Sequence, residues 1–129
     1  MPFDSLCRNK IFKDVPDYDN IKIDKHMNEI FSKVFTGMSG RYTRLRIICA
    51  ITEDPMNMMG ISKKLELDYK TIKHNIEVLE KNNLITRKGE GYGDMFFLSD
   101  LTSANLPTLY SVIRKVENKL DKTEKKYIE

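Results

Sequence analysis

The stretch "GISKKLELDYKTIKHNIEVL", residues 60–79, decides the fold of this 129-residue chain. Apolar residues recur there at helical spacing on both sides of a short break: Ile61 and Leu65 before it, and Ile72, Ile76 and Leu79 after it. The pattern predicts two helices joined by a tight turn. Leu67 fills the turn, and the Asp68 carboxylate caps the second helix by accepting from the amide of Lys70 or Thr71. Asn57 is the expected cap of the first helix, and Asn83 stands where the second helix should end in a left-handed residue.

The outer face of this second helix is rich in hydrogen-bond donors. Its first two turns carry no acidic residue before Glu77, and the donors are Tyr69, Lys70, Thr71, Lys73 and His74. One interpretation is a solvated helix face. The other follows from the helix-turn-helix around it, because such a unit places the start of its second helix in the major groove of DNA. There Lys70 and Lys73 would meet phosphates or guanine, and Thr71 a phosphate or a thymine methyl.

The remaining sequence supplies the rest of a small domain. Residues 23–35 predict an amino-terminal helix, and residues 40–54 predict a central helix that is apolar on nearly all sides. Residues 84–88 and 94–99 flank the glycine-rich "GEGYG" and predict a β-hairpin. A last helix follows "LTSANLP". The expected fold class is mainly α with a small β-hairpin (α+β).

We expect a winged helix-turn-helix domain with additional amino- and carboxyl-terminal helices. The predicted divisions are an arm and helix at 1–37, a DNA-binding domain at 38–100 and a dimerisation helix at 101–129. Within the domain, the recognition helix is expected at about 69–82 and the wing at about 87–94.

Further basic and aromatic residues are candidates for contact with the DNA backbone. The wing offers Arg87, Lys88 and Tyr92. The start of the central helix offers Arg41 and Arg44, and the helix before the recognition helix offers Lys63 and Lys64. A wing can reach a minor groove or the neighbouring backbone, where basic side chains meet a strong negative potential. For each of the four other cations, solvated charge is an equal alternative.

Several short motifs carry a family resemblance over roughly residues 38–109. They are Arg44, Pro55 with Asn57, the run "LDYKT" at 67–71, Leu79, Tyr92 with Gly93, and "FLS" at 97–99. On these the chain resembles archaeal winged-helix proteins related to the arsenic-repressor-type regulators. The resemblance implies a dimeric, sequence-specific DNA-binding regulator.

The chain departs from that family's pattern at three positions in and around the recognition helix. Glu66 and Asn83 stand where glycine is common, and Asn75 stands where histidine is common. The Cys-x-Cys pair of the metal-sensing members is absent. Metal sensing is therefore not expected.

The terminal helices predict self-association. Their apolar stripes exceed what a small winged domain can easily cover, which favours a homodimer across a two-fold axis. The alternative is that the last helix packs back on its own domain. The predicted interface comprises Ile30, Phe31, Val34, Leu109, Ile113, Val116 and Leu120.

Composition limits the other functions. The net charge is only +3, so DNA binding has to be argued from where the cations lie rather than from their number. No catalytic motif, phosphate loop or metal set occurs, since His26 and Glu29 have no third ligand at a recognisable spacing. We expect no enzyme activity, cofactor or membrane span. We also expect a reducing cytoplasmic setting in which Cys49 is a small core hydrophobe.

The leading hypothesis is therefore a homodimeric regulator of transcription that binds double-stranded DNA. Two alternatives remain open, which are a winged-helix module that binds protein and a sequence-neutral architectural DNA-binding protein. Any small-molecule effector is unknown.

Overall fold

The computed structural model describes residues 23–36, 41–89 and 93–119, and for Arg41 and residues 116–119 it describes the backbone alone. Its helices are α1 (Lys25–Thr36), α2 (Arg41–Glu53), α3 (Met58–Leu65), α4 (Tyr69–Lys81), α5 (Asp100–Ser103) and α6 (Leu106–Lys119). Its strands are β1 (Met56–Asn57), β2 (Ile85–Lys88) and β3 (Met95–Leu98). The predicted arm at residues 1–20 lies outside the described residues.

The central helix is α2, as its all-round apolar pattern predicts. Leu45, Ile47, Ile48 and Ile51 are at most 1% exposed. Helix α2 contacts α1, α3, α4 and β3, so most of its surface is covered. It forms the core on which the helix-turn-helix and the hairpin are mounted.

The hairpin is confirmed, and it belongs to a larger sheet than the sequence predicts. Strands β2 and β3 pair in antiparallel register from Ile85 opposite Leu98 to Lys88 opposite Met95. Strand β1 joins the other edge of β3, which gives the order β1-β3-β2. A two-residue strand has no alternation for a pattern search to detect, so only its tertiary pairing defines it.

The helix-turn-helix consists of α3 and α4, and both predicted amino-terminal caps are present. Asn57 accepts from the Gly60 amide at 2.9 Å. Helix α3 ends at Glu66, whose backbone is left-handed with φ 56° and ψ 43°. Asn83, after α4, is also left-handed at φ 61°, as predicted. Glu66 thus adopts the conformation for which the resembling family uses glycine.

The carboxyl-terminal helix packs back on its own chain. Helix α6 contacts α1 extensively, and the Asp24 amide donates to the Thr108 hydroxyl at 3.0 Å. This packing corrects the expectation that the apolar stripes are free for a second copy. Four members of the predicted interface are at most 2% exposed within one chain, namely Phe31, Val34, Leu109 and Ile113. Ile30 is half-buried, while the Val116 side chain and Leu120 lie outside the described residues.

Helix α5 is an addition that the sequence analysis did not predict. Ser99 caps it by accepting from the Thr102 amide at 3.0 Å, and the Thr102 hydroxyl donates to the Leu84 carbonyl at 2.8 Å. This buried junction connects the end of the hairpin to α6. A four-residue helix is too short to show a period in sequence.

Candidate nucleic-acid interface

The start of the recognition helix, α4, is fixed by its cap. One Asp68 carboxylate oxygen accepts from the Thr71 amide at 3.2 Å, and the other accepts from the Thr71 hydroxyl. These bonds, the one from the side chain first, lower the pKa of Asp68. The cap is confirmed, and its charge also complements the positive end of the helix dipole.

The helix phase predicted from the sequence is confirmed. Ile72, Ile76 and Leu79 have no exposed surface and face α2 and the rest of the core. The opposite face is exposed, and its members are Tyr69, Lys70, Lys73, His74 and Glu77. Tyr69 is the most apolar of them and is 50% exposed. The first two turns therefore present two ammonium groups, an imidazole and a phenol to the outside.

Thr71 differs from these neighbours. Its side chain is half-buried, and its hydroxyl already donates to Asp68. The hydroxyl could reach a nucleic-acid acceptor only by leaving that bond. A methyl contact through its Cγ2 does not require such a change.

The wing lies beside the recognition helix, and its arginine is engaged inside the molecule. The Arg87 guanidinium donates to both carboxylate oxygens of Glu80, at 2.8 and 2.6 Å, and lies 3.8 Å from Asp94. It also stacks over the Phe96 ring at 5.1 Å. The hydrogen bond to Glu80 is the main cause that raises the pKa of Arg87.

Lys88 is the freer cation of the wing. It is exposed, and its ammonium lies 5.0 Å from the centre of the Phe97 ring. Tyr92, the third predicted contact in the wing, lies outside the described residues. Gly89 and Gly93 shape the wing with φ values of +149° and +84°, and a Cβ on Gly89 would lie 2.5 Å from an Asp94 carboxylate oxygen.

A groove that the sequence analysis missed separates the recognition helix from the wing. It encloses about 580 Å³ and is open to solvent. Its described lining consists of Asn57, Met58, Met59, Tyr69, Arg87, Gly93, Asp94 and Phe96. The only hint in the sequence is the run of methionines before α3, and Met59 is indeed 53% exposed.

The cations of α3 lie at its carboxyl-terminal end and are exposed. Lys64 forms an ion pair with Glu53 at 3.4 Å. Lys63 and Lys64 stand one loop away from the recognition helix, which is compatible with contact to a neighbouring phosphate. The Arg41 side chain lies outside the described residues.

Arg44 corrects a prediction. It was expected near the surface as a phosphate contact, but its side chain has no exposed surface. Its Nε donates to the Val34 carbonyl at 3.0 Å, and its Nη1 donates to the Asn75 side-chain oxygen at 2.8 Å. The charge pattern of α2 could not show this, because the position of α1 and α4 around Arg44 is set by the tertiary structure.

Cys49 is buried in the core but is bonded in a disulfide, so the expectation of a free thiol there is wrong. Among the described residues, no group of three or more His, Cys, Asp or Glu side chains could hold a metal ion. No helix in the described part of the chain is long and apolar enough to cross a membrane.

The arrangement of helices and strands defines the fold class of this chain. A helix-turn-helix followed by a two-stranded wing, mounted on a central helix and flanked by terminal helices, is a winged helix-turn-helix fold. Solved regulators share it. The chain aligns with Staphylococcus aureus MarR in complex with salicylate and kanamycin at a TM-score of 0.52 and 13% identity, over 79% of this chain and 73% of that chain.

Two further solved structures align with this chain to a similar extent. Reduced AbfR bound to DNA aligns at a TM-score of 0.53 and 17% identity, over 81% of this chain and 76% of that chain. BldR from Sulfolobus solfataricus, a transcriptional regulator, aligns at 0.52 and 15% identity, over 80% of both chains. At these identities the likeness shows the fold.

A match to a sequence family places the chain in a narrower group than the fold does. Residues 33–114, well over half of the chain, match the family model of the amino-terminal domain of the methanogenesis regulatory protein FilR1. The chain therefore belongs to the FilR1 amino-terminal domain family. No curated protein sequence matches it. The match agrees with the expected class, a winged-helix transcriptional regulator.

Proposed function

We propose that the chain is a sequence-specific regulator of transcription that binds double-stranded DNA as a homodimer. The observation that supports this most is the outer face of α4. Tyr69, Lys70, Lys73 and His74 are all exposed there, the preceding acid Asp68 is engaged in capping, and Glu77 is the first acid on the face itself. DNA is the partner whose phosphates and base edges accept from such a set.

In this proposal the amino-terminal end of the recognition helix, which Asp68 caps, lies deepest in the major groove. Lys70 and Lys73 meet phosphates or the acceptor edge of guanine, and His74 and Tyr69 contact base edges or sugars. Lys63, Lys64 and Lys88 contact the backbone on either side. The FilR1 family match and the DNA-bound state of the structural neighbour AbfR support this interpretation.

The homodimer is proposed on different grounds. Two recognition helices about 34 Å apart would occupy successive major grooves, which gives the affinity that one small domain lacks. Because the apolar stripe between α1 and α6 is already covered, the pairing would have to use the outer faces of these helices and the residues beyond them. The proposed division keeps residues 38–100 for DNA and residues 1–37 and 101–129 for assembly.

The setting follows from the same proposal. A regulator of transcription acts where DNA is accessible, so we propose the cytoplasm of a cell without a nucleus. The resemblance to archaeal regulators and the match to a methanogenesis regulator favour an archaeal source. The proposed activity is binding rather than catalysis.

The test is a gel-shift titration at several salt concentrations with two probes, a random duplex and genomic fragments selected by the purified protein. A sequence-specific regulator binds selected fragments far more tightly, typically by about 10³–10⁷-fold over non-specific DNA. Equal binding of both probes would favour the architectural alternative. The absence of any binding at low salt would favour the protein-interaction module.

A matched pair of variants assigns the contact to the first turns of α4. Lys70→Gln removes a charge from the amino-terminal end of the recognition helix, and Lys81→Gln removes the same charge from its other end, where the residue is also exposed. We expect only the first to weaken binding to DNA. Equal effects would mean that general charge, and not the start of the recognition helix, drives binding.

A further inference from the structure

The buried guanidinium of Arg44 is unusual because it is charged and, within the described part of the chain, has no acid paired with it. Among the residues that the structure describes, no carboxylate forms an ion pair with it. One of its nitrogens, Nη2, is buried without a hydrogen-bond partner. Burying a cation without a paired acid costs free energy. An arginine at this position is therefore expected to make specific bonds that an apolar residue could not make. Burial accordingly lowers the pKa of Arg44, although an arginine stays protonated.

Its two hydrogen bonds point in opposite directions. Nε donates to the Val34 carbonyl near the end of α1, at 3.0 Å. Nη1 donates to the Asn75 side-chain oxygen in the middle of the recognition helix, at 2.8 Å. A planar guanidinium holds both acceptors in a fixed geometry. Arg44 therefore joins α1, which contacts α6, to α4, which carries the proposed reading face.

The connection continues toward that face. The Asn75 amide nitrogen donates to the Thr71 carbonyl at 2.9 Å. The Thr71 amide and hydroxyl donate in turn to the Asp68 cap. A continuous series of hydrogen bonds thus runs from the terminal-helix layer to the first turn of the recognition helix. We call it the Arg44 relay, and its members are Val34, Arg44, Asn75, Thr71 and Asp68.

The relay restricts how the recognition helix can move. Ile72, Ile76 and Leu79 anchor α4 by apolar contact, which is tolerant of small rotations and shifts. Directional bonds at Asn75 are less tolerant, because a hydrogen bond weakens steeply with misalignment. An Asn75 side chain that faces Arg44 leaves Lys70, Lys73 and His74 pointing outward.

We propose that Arg44 is a positioning residue that sets the rotation of the recognition helix and couples it to the terminal helices. The proposal rests on the proposed function for its consequence, since α4 must read DNA for its orientation to affect affinity. Arg44 itself touches no DNA. A change in the α1–α6 layer would reach the reading face through the Val34 carbonyl and this guanidinium.

The test compares Arg44→Met and Asn75→Ala with Ile51→Val and Ile51→Ala. Ile51 is a core residue of α2 that is 1% exposed and takes no part in the relay. The two Ile51 variants bracket the loss of thermal stability and so serve as controls for a purely structural effect. Arg44→Lys is added because it keeps the charge but not the fixed fork.

The first measurement is hydrogen exchange of the peptide that covers residues 67–79, which needs no DNA. We expect Arg44→Met and Asn75→Ala to increase exchange in this peptide by at least tenfold more than in α2 and α6. The Ile51 variants should increase exchange evenly. An even increase in the Arg44 and Asn75 variants would overturn the proposal, because it would show only a loss of global stability.

The second measurement is affinity for a selected DNA fragment, at a temperature where every variant is fully folded. We expect a tenfold or larger loss for Arg44→Met, Asn75→Ala and Arg44→Lys, and no loss for the Ile51 variants. The double variant Arg44→Met, Asn75→Ala should bind no more weakly than the worse single variant, since both break one relay. Unchanged affinity in a wild-type background that binds DNA would overturn the inference. If the wild type binds no DNA, the proposed function fails instead, and the exchange experiment still decides whether the relay exists.

Discussion

The recognition helix and the wing lie on the same side of the molecule, yet they use their cations in different ways. On α4, Lys70 and Lys73 stand on an exposed face whose neighbouring acid, Asp68, is engaged in capping. In the wing, the Arg87 guanidinium is held by Glu80 and lies near Asp94. Both regions read as basic in the sequence. Both lysines of α4 are exposed without an ion pair among the described residues, whereas in the wing Lys88 is exposed but Arg87 is engaged.

The difference also extends to how each region is anchored. Four residues of α4 are buried, namely Ile72, Asn75, Ile76 and Leu79. The wing strands bury Ile85 and Phe96, and the remaining side chains of β2 and β3 are half-buried or exposed. A deeply anchored element can hold a precise geometry, while a lightly anchored one can adapt. Within the proposed function, this difference assigns sequence reading to α4 and a supporting role to the wing.

The largest expected effect is on the free energy of unfolding, and it tests whether α4 is packed more firmly than the hairpin. Leu79→Ala should reduce the free energy of unfolding by about 2–5 kcal/mol, the range for a truncated core leucine. Met95→Ala in the hairpin is the matched control, because Met95 is 37% exposed and should cost well under half as much. Urea or thermal unfolding measures both. Equal losses would mean that the hairpin is anchored as firmly as α4.

The second prediction tests the availability of charge. In the proposed complex, a lysine of α4 that contacts a phosphate releases a counterion, so Lys70→Gln or Lys73→Gln at such a contact should make the slope of log K against log salt shallower by about one unit. Arg87→Gln should change the slope less, because Glu80 and Asp94 already balance its charge. Conversely, Glu80→Gln frees Arg87 and should steepen the slope. An Arg87 effect as large as that of Lys70 would contradict the comparison.

The third prediction concerns the turns that lead into the two regions. Glu66, before α4, and Asn83, before the hairpin, both have positive φ. This conformation costs a typical residue with a side chain about 1–2 kcal/mol. A change to glycine removes that cost, but the greater flexibility of glycine in the unfolded chain offsets about half of the gain. Glu66→Gly should therefore stabilise the fold by up to about 1 kcal/mol. Asn83→Gly should gain less, because asparagine tolerates the left-handed region. Denaturant midpoints measured side by side decide this; a larger gain at Asn83 would show that Glu66 is not strained.

The smallest effect concerns the cap of the recognition helix. Its hydrogen bonds to Thr71 lower the pKa of Asp68 below the unfolded value of about 3.9. A lowered folded pKa stabilises the fold above about pH 4, and the contribution is lost as the pH falls through the folded pKa. Asp68→Asn keeps a capping oxygen but cannot ionise. The difference in melting temperature between the wild type and Asp68→Asn should therefore shrink between pH 7 and pH 3. A constant difference would mean that the charge of Asp68 adds nothing to the cap.

Much of this fold could be predicted from local patterns. Periodicity located the helices and fixed the phase of α4, and the capping residues Asn57 and Asp68 were predicted at the positions where they occur. The glycine-rich run predicted the hairpin. These features depend on contacts between residues close in sequence, so the sequence alone determines them.

The remaining features depend on which elements meet in space. Arg44 and Arg87 are indistinguishable from phosphate-binding arginines in sequence, and only the placement of α1, Asn75, Glu80 and Asp94 shows that both are engaged inside the molecule. The apolar stripe of α6 suits a second chain as well as its own, and its packing against α1 decides between them. The tertiary structure decides these points because charge and apolar area specify what a residue can bind, whereas long-range packing specifies which partner lies within reach.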